Sequence, residues 1–415
     1  MLDSAATPVA TESDVLIVGS SIASARSIEA LRRLKFEGSI TVLTNENVPF
    51  YNRPPLTKDY MTGDCTAEDL LLLDADACRA LDVRVLTDST AEVLDLKAQT
   101  VETAGGTHHY KNLVLATGAR ARRLPAFAQQ QNVFYLRNLA EAGRLREAFG
   151  RAKSVVIVGF GFLGCELASS ARHLGLDVTI IDADLKPYAQ FGRHFSDALT
   201  SMHKANGVHL ILGTTVSAVN STERQVSTID LSNGERLKAD IYIVAVGAVP
   251  NTDWLKGSGL TIDDGVICDS TLEAAPRVHA AGDIARWPDP SSGAMTRVEH
   301  WTNAVDHAAT IAHNIVNPRQ KKTHTATPYF WSNQFSCSIQ YLGFLGNHSE
   351  YRWFQSDSGS IAGVFGKERR VRGVIGINAA NVVVRSRALI ASGRPWDIGL
   401  AEIAGIAERY GYKEI

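Results

Sequence analysis

The stretch Ser154-Val155-Val156-Ile157-Val158-Gly159-Phe160-Gly161-Phe162-Leu163-Gly164 decides the fold. An apolar run of strand length enters a glycine-bounded turn, and the residues that follow, CELASSARHLGL from Cys165, read as a helix. In such a unit Gly159 makes the tight turn, Gly161 lets the backbone close on a pyrophosphate, and Gly164 lets the helix pack on the strand. The amino terminus of the helix, with Phe162 and Leu163, then faces the phosphates. Asp182 closes the next apolar run, 18 residues beyond Gly164. A carboxylate there accepts bonds from ribose hydroxyls and repels a 2′-phosphate, so NAD is favoured over NADP.

The same architecture recurs near the amino end. Asp14-Val15-Leu16-Ile17-Val18 reads as a buried parallel strand, Gly19-Ser20-Ser21-Ile22-Ala23-Ser24 as the turn, residues 25–35 as a helix and 39–43 as a second strand. Two mononucleotide-type units imply two different dinucleotides. This first loop departs from the fingerprint, because Ser21 and Ser24 replace the second and third glycines. A side chain at Ser21 stands where backbone should approach phosphate, which weakens binding unless the hydroxyl itself donates to the phosphate. Asn45 and Glu46 follow the second strand, and either could hold a ribose.

At 415 residues the chain exceeds one ordinary core, and two or three domains are expected. A composition 45% hydrophobic and 21% charged argues against extended disorder, and a net charge of −2 gives no global pull toward nucleic acid or membranes. Three basic clusters, Arg120 with Arg122 and Arg123, Arg319 with Lys321 and Lys322, and Arg369 with Arg370 and Arg372, read first as solvated faces. The alternative is attraction of an acidic partner. Five cysteines, Cys65, Cys78, Cys165, Cys268 and Cys337, include no CxxC pair. Such a scattered set suits small buried side chains in a reducing compartment, with Cys165 packing helix on strand. No metal site is expected. Residues 1–13 have neither the basic start nor the apolar core of a signal peptide, and no apolar run approaches the ~20 residues of a membrane helix. A cytoplasmic protein is the expectation.

Along the chain, Pro49-Phe50-Tyr51-Asn52-Arg53-Pro54-Pro55-Leu56-Thr57-Lys58 forbids a continuing strand or helix and makes a rigid loop of the kind that carries function. Leu113-Val114-Leu115-Ala116-Thr117-Gly118 is a buried strand stopped at glycine. Residues 241–247, ending at Gly247, repeat that pattern, and the two bracket an inserted domain. A short strand from Val278 ends near Asp283, at the carboxyl end of the first sheet. From Thr323 strand-like alternation begins, as in 338–345 and 360–365, followed by a final helix pair. The predicted fold class is therefore α/β: two Rossmann-like dinucleotide-binding domains, one inserted in the other, plus a C-terminal α+β domain. The boundaries fall at 1–118 with 250–322, at 119–249, and at 323–415.

Over nearly its whole length the chain resembles the FAD-dependent NADH:ferredoxin reductases that serve Rieske-type and cytochrome-type oxygenases. The resemblance rests on PFYNRPPLTKDY from Pro49, VLATGARARRLP from Val114, FYLRNLAEA from Phe134, GFGFLGCELA, AAGDIARW from Ala280, RVEHWTNAVDHA from Arg297 and PYFWSNQF from Pro328. The proline-rich piece and the RVEHW and PYFWS motifs are its most specific parts. It implies FAD on the first unit, NADH on the second, and a carboxy-terminal domain covering the flavin. Arg53 and Lys58 would lie beside the flavin, Arg137 and the backbone at Ala91 would hold the adenosine half, and Asp283 would bond the ribityl chain. His300 and Trp301 would pass backbone near the pyrimidine edge, and Trp331 would pack near the ring. Lys58 and Glu166 match the pair that this family sets near flavin N5 and the nicotinamide.

The residues by themselves leave other roles open. Glu166 could be an acid in the first helical turn, stabilised by the dipole, and Lys58 a snorkelling surface lysine. Arg53 could be a cap or loop ion pair, Asp283 a helix N-cap, and Trp301 and Trp331 core aromatics. Lys58 would be costly to bury without Glu166.

The reaction implied is hydride transfer from NADH to FAD, followed by single-electron reduction of a 2Fe-2S ferredoxin, itself acidic, that feeds a terminal oxygenase. Absence of a redox cysteine pair disfavours a disulfide substrate. No cysteine stands in the proline-rich loop, which disfavours peroxidase and water-forming oxidase relatives. Two rivals are a related NADH reductase of rubredoxin or small oxidants, and a redox-responsive flavoprotein similar to apoptosis-inducing factor. Ser21 and Asn45, an amide where an acid is common, predict partial loss of FAD during purification.

Overall fold

The computed structural model describes residues 11–128, 130–290, 292–344 and 348–415. The first ten residues, on which most of the leader reading falls, and Leu345, the expected end of one strand, lie outside them. Within the described residues the chain gathers into two compact units. One contains the chain through Arg53 with Glu68–Arg120 and Val249–Ala326, and the other contains Pro54–Ala67, Ala121–Ala248 and Thr327–Ile415.

In the first unit, the strands Val278–Ala280, Gly106–Leu115, Thr11–Val18, Ile40–Leu43 and Val83–Leu86 lie side by side in that order, all parallel. Val15, Leu16, Ile17, Leu113, Val114 and Leu115 are fully buried. Strands covered on both faces lose the polar alternation of an open sheet, which explains why these segments read as continuous apolar runs. Helices Ile22–Arg33 and Trp301–Val316 contribute Ile28, Leu31, Ile311 and Ala312 to the same core. The first helix starts at Ile22 rather than Ala25, because Ser21 already has extended N-cap geometry. Its sheet partner 106–115 starts earlier than expected, since its polar, alternating half pairs antiparallel with Thr100–Thr103.

The second unit holds another all-parallel sheet, ordered Val208–Leu212, Asp177–Asp182, Ser154–Val158, Ile241–Val244 and Val133–Phe134. The helix after the glycine loop spans Phe162–His173 and so begins earlier than the sequence suggested. The prolines do not exclude helix altogether: Pro54–Thr57 forms a 3-10 turn and Asp59–Thr62 one α-helical turn. Proline fits the first positions of such turns, where its missing N–H has no partner to lose.

The carboxy-terminal segment forms a six-stranded antiparallel sheet, Tyr329–Gln334, Cys337–Gly343, Arg370–Ile377, Ile361–Lys367, Glu350–Ser356 and Tyr412–Glu414 in spatial order. Instead of a final helix pair there are three segments, Ala380–Arg385, Arg387–Ala391 and Trp396–Arg409. Val382, Val383, Trp396 and Ile403 seal them against Val364, Val371 and Val374 of the sheet.

Candidate active site

Both glycine loops have the same backbone device. Gly19 adopts φ 111° and Gly159 φ 112°, a region closed to most side chains. A Cβ on Gly19 would stand 2.2 Å from the carbonyl oxygen of Ala116, and one on Gly159 2.3 Å from that of Ala245. Each first glycine is thus pressed against the end of the neighbouring parallel strand. Helices Ile22–Arg33 and Phe162–His173 follow, and neither N-cap residue, Ser21 nor Gly161, makes a side-chain capping bond. The first-turn N–H groups of Ile22, Ala23, Phe162 and Leu163 are therefore presented to an anion rather than to the chain itself. A Cβ on Gly161 would meet nothing within 4 Å, so this is the open side of the second loop.

Asp182, expected from the sequence to face a ribose, is engaged by the chain itself. Its Oδ2 accepts from Phe160 N–H at 2.6 Å and its Oδ1 from Asp184 N–H at 2.8 Å. The carboxylate shapes the glycine loop and still has acceptor capacity for a hydroxyl. Gly247 lies just beyond the Ile241–Val244 strand, its carbonyl accepting from Arg122 N–H at 2.9 Å.

Around the first loop, Arg53 organises the site. Its Nε donates to Ser21 Oγ at 3.0 Å and its Nη2 to Glu46 Oε1 at 2.5 Å, while Tyr51 Oη bonds Glu46 Oε2. Glu46 is thereby committed to Arg53 and Tyr51, and Asn45 is the exposed residue at the end of strand 40–43. Thr117 and Gly118 leave the sheet through Asn251, whose Nδ2 donates to Thr117 O at 2.8 Å and whose N–H donates to Gly118 O at 2.9 Å. Ala91 opens the strand Ala91–Asp95, two residues past Ser89, whose N–H bonds Thr44 O at 2.8 Å.

Asp283 is not a helix N-cap: it sits within the short 3-10 turn Gly282–Ile284, which Ala281 precedes as cap. The N-cap of the long helix 301–316 is His300. Burial pushes the His300 imidazole down to about 4, with Asp283 pulling the other way. Trp301 is half-buried, and its Nε1 donates to Asn52 Oδ1 at 2.9 Å. This bond matches the indole N–H, as the polar end of a partly buried tryptophan requires. Asn52 was missed by sequence reasoning, although it stands beside Arg53 in the proline-rich piece.

In the second unit Lys58 and Glu166 are brought together. Lys58 Nζ lies 2.6 Å from Glu166 Oε2, which also accepts from Thr57 Oγ1 at 2.6 Å, and Ser332 Oγ donates to Oε1 at 2.7 Å. Glu166 is 8% exposed and stands beyond the first turn of its helix, so neither a surface role nor the first-turn dipole explains it. A carboxylate this buried needs such partners. Thr57 and Ser332 were not anticipated. Ser170 Oγ, one turn further along the helix, donates to Thr57 O at 2.6 Å and fixes the approach of the proline-rich turn. Beside the pair opens a cavity of about 650 Å³ bordered by Lys58, Asp59, Glu166, Ser170, Asn333 and Phe335.

Trp331 occupies the middle of strand 329–334, stacked at 6.2 Å on Tyr329, over which the Arg387 guanidinium lies at 5.6 Å. Arg137 precedes the N-cap Asn138 of helix Leu139–Phe149, and its N–H donates to Glu141 Oε2 at 2.8 Å. Among the basic clusters, Arg120 pairs with Asp253 at 2.8 Å, Lys321 with Glu273 and Arg369 with Asp397 at 2.8 Å. All five cysteines are free, and Cys165 is buried with Sγ 3.7 Å from Tyr188 Oη.

Two parallel sheets, each delivering a glycine turn and an uncapped helix amino terminus, define a protein built around two dinucleotides. The chain belongs to the pyridine nucleotide-disulphide oxidoreductase family, whose model matches residues 13–308, and a reductase C-terminal model matches residues 329–402. It is 32% identical to rhodocoxin reductase of Rhodococcus erythropolis over 92% of this chain and 90% of that protein. It is also 32% identical to the 3-phenylpropionate/cinnamic acid dioxygenase ferredoxin–NAD(+) reductase component of Photorhabdus laumondii, over 91% and 96%. Among solved structures, the covalent putidaredoxin reductase–putidaredoxin complex matches with a TM-score of 0.89 at 26% identity, over 95% of this chain and 99% of that one. Among the described residues no helix is long and apolar enough to cross a membrane, and no cluster of three or more metal-ligating side chains occurs.

Proposed function

We propose that the protein is an NADH-dependent flavoprotein reductase that passes electrons from NADH through FAD, singly, to a 2Fe-2S ferredoxin serving an oxygenase. The observation that carries this reading is the pair of glycine loops in one chain, each with an uncapped helix behind it, joined to a reductase-type carboxy-terminal domain. Bound flavin supplies acceptance of a hydride and release of electrons one at a time.

FAD is assigned to Gly19, Ser21, Ile22, Ala23, Arg53, Asp283, His300 and Trp301, with Asn45, Glu46, Ala91, the 116–118 turn and Arg137 at its periphery. NADH is assigned to the loop from Gly159 to Gly164, Asp182 and Gly247. Lys58 and Glu166 serve the hydride-transfer step, and Trp331 serves electron exit. The flavin domain takes 1–118 and 250–322, the NADH domain 119–249, and the third domain 323–415. An acidic ferredoxin fits the basic clusters, and five free cysteines support a reducing, cytoplasmic setting.

Anaerobic titration of FAD-loaded protein with NADH and, separately, NADPH tests the first half. Bleaching by NADH at far lower concentration than NADPH is expected. Stoichiometric NADH plus catalytic reductase is then expected to bleach the visible bands of a 2Fe-2S ferredoxin. A flavin that NADH leaves oxidised would overturn the reading.

A further inference from the structure

From the Glu166 oxygen that does not face Lys58, a file of polar side chains continues within the second unit. Ser332 Oγ donates to Glu166 Oε1 at 2.7 Å, Gln334 Nε2 donates to Ser332 Oγ at 3.0 Å, and Gln334 Oε1 stands 3.0 Å from His203 Nε2. Ser332 is 1% exposed, and Gln334 and His203 are 0% exposed. An amide and an imidazole at such depth are costly unless their polar atoms are matched, and here the file matches those of its members except His203 Nδ1, which has no hydrogen-bond partner.

The matching is directional. Ser332 has one hydroxyl proton, which goes to Glu166, so it must accept from the Gln334 amide. That turns the Gln334 oxygen toward His203, whose Nε2 must then carry the proton. Burial holds the His203 imidazole neutral by pushing it down to about 4, with Gln334 opposing, so one ring nitrogen is available as donor. Every proton in the file therefore points toward Glu166. Packing alone does not require this, because apolar side chains of similar size would fill the space without the desolvation cost.

The far end reaches the nucleotide loop. The His203 ring meets Phe160 edge-on at 4.9 Å and Phe335 edge-on at 5.1 Å. Phe160 belongs to the glycine loop and holds Asp182 through its N–H, while Phe335 N–H donates to Ser169 Oγ at 2.6 Å, tying the strand end to the helix that carries Glu166. One contiguous set of contacts thus runs from the residue that shapes the glycine loop to the carboxylate paired with Lys58.

We propose that Ser332, Gln334 and His203 are positioning residues that fix the orientation of Glu166, and through it Lys58, so that the state of the nucleotide loop is felt at the hydride-transfer step. The inference rests on the reading that the Lys58 and Glu166 pair serves that step. It assigns to the carboxy-terminal strand 329–334 a part in NADH oxidation, separate from any part in handing electrons onward.

The test is anaerobic stopped-flow mixing of FAD-loaded protein with a series of NADH concentrations, which separates NADH affinity from the limiting rate of flavin bleaching. Ser332→Ala, Gln334→Met and His203→Phe are expected to lower the limiting rate by about tenfold to a hundredfold, the scale of a misplaced reacting group, with NADH affinity changed by less than about threefold. Ser332→Thr, which keeps the hydroxyl, is expected to restore most of the rate. Ser332→Ala removes a single oxygen atom and keeps the test decisive should Gln334→Met fail to fold. Variants that hold FAD, melt like the parent and bleach within about twofold of its limiting rate would overturn the proposal, as would a loss confined to NADH affinity. Failure of the functional reading looks different, since the parent protein itself would then not bleach with NADH.

Discussion

The hydroxyl of Ser24 donates to the carbonyl of Gly19 at 2.7 Å, closing the first dinucleotide loop on itself. At the matching position of the second loop stands Gly164, where a Cβ would lie 2.2 Å from the carbonyl oxygen of Gly159. The two loops bring helix to turn by different means: one leaves room for a side chain and uses it as a hydrogen bond, the other needs van der Waals contact with no side chain at all. Gly164→Ala must therefore displace backbone, at a cost of about 1 to 3 kcal/mol, and is expected to abolish flavin bleaching at NADH concentrations that saturate the parent. Ser24→Ala loses one neutral hydrogen bond, about 1 kcal/mol, and should leave FAD content nearly unchanged. Equal effects of the two substitutions would contradict this account.

Arg53 links three parts of the first site, the glycine turn through Ser21, the strand end through Glu46 and the loop through the Tyr51 ring at 4.9 Å. Because Ser21 accepts from Arg53, its own proton remains available to a phosphate. Arg53→Ala should free Ser21 and leave Glu46 a half-buried acid held by the Tyr51 hydroxyl alone, without its counter-charge. FAD affinity is expected to fall by about tenfold or more, and Ser21→Ala to fall short of that, the loss of a charge-assisted bond exceeding that of a neutral one. Fluorescence of released flavin during dialysis reports both. Partial FAD loss is expected from the parent as well, and full retention without added flavin would dispose of the idea that Ser21 and Asn45 weaken the site.

A histidine cluster gives the first unit an acid limit. His307 Nδ1 accepts from Gly282 N–H at 3.2 Å, beside Asp283, and its ring meets His324 edge-on at 4.5 Å and Trp287 at 4.4 Å. Burial lowers His307 well below 6.5, and lowers His324, His279 and His300 to about 4. A histidine whose folded value lies below its unfolded value takes up a proton more readily when unfolded. Its contribution is present above pH 6.5 and is lost as pH falls toward 4. Inside that window each such histidine costs about 1.4 kcal/mol per pH unit. The melting temperature should therefore drop steeply between pH 6.5 and 4, with flavin released in parallel, and His324→Phe should flatten the slope. A flat profile across that range would remove the cluster from consideration.

How much of this was legible in the chain depends on where the determining contacts lie. Both parallel sheets and both glycine turns could be read because their signals are local: an apolar run, then a glycine at fixed offset. The helix starts at Ile22 and Phe162 lie earlier than the sequence suggests, since each cap is set by backbone angle, Gly161 has no side chain and the Ser21 hydroxyl accepts from Arg53 instead of capping. Lys58 and Glu166 stood out only through the family resemblance, because 108 positions separate them and no spacing rule brings them together. Thr57, Ser332 and Gln334 lie inside motifs that carry the resemblance and His203 in none, but nothing in the sequence marked any of the four, because their bonds to Glu166 and between His203 and Gln334 span over a hundred positions. Each is an ordinary residue made particular by a partner distant in sequence. Asn52 and the double use of Asp182 were hidden differently, since hydrogen bonds to an indole and to a loop N–H leave no trace in composition.

If Asp182 sets the choice of nucleotide as proposed, its engagement with Phe160 N–H sharpens what its removal should do. Replacing it by serine takes away the negative charge that would repel a 2′-phosphate and also the acceptor that holds the glycine loop at 2.6 Å. Two effects should appear together. NADH should bind about tenfold more weakly, the scale of one charge-assisted hydrogen bond, while NADPH should gain relative to NADH without reaching the parent's NADH affinity. Asp182→Asn separates the terms: it removes the charge but keeps an oxygen for Phe160 N–H, so its NADH affinity should exceed that of Asp182→Ser at a similar NADPH to NADH ratio. Titrating flavin bleaching with both nucleotides in the three proteins checks this. If Asp182→Asn and Asp182→Ser lose NADH affinity equally, the bond to Phe160 contributes nothing to the loop, and Asp182 acts on the ribose alone.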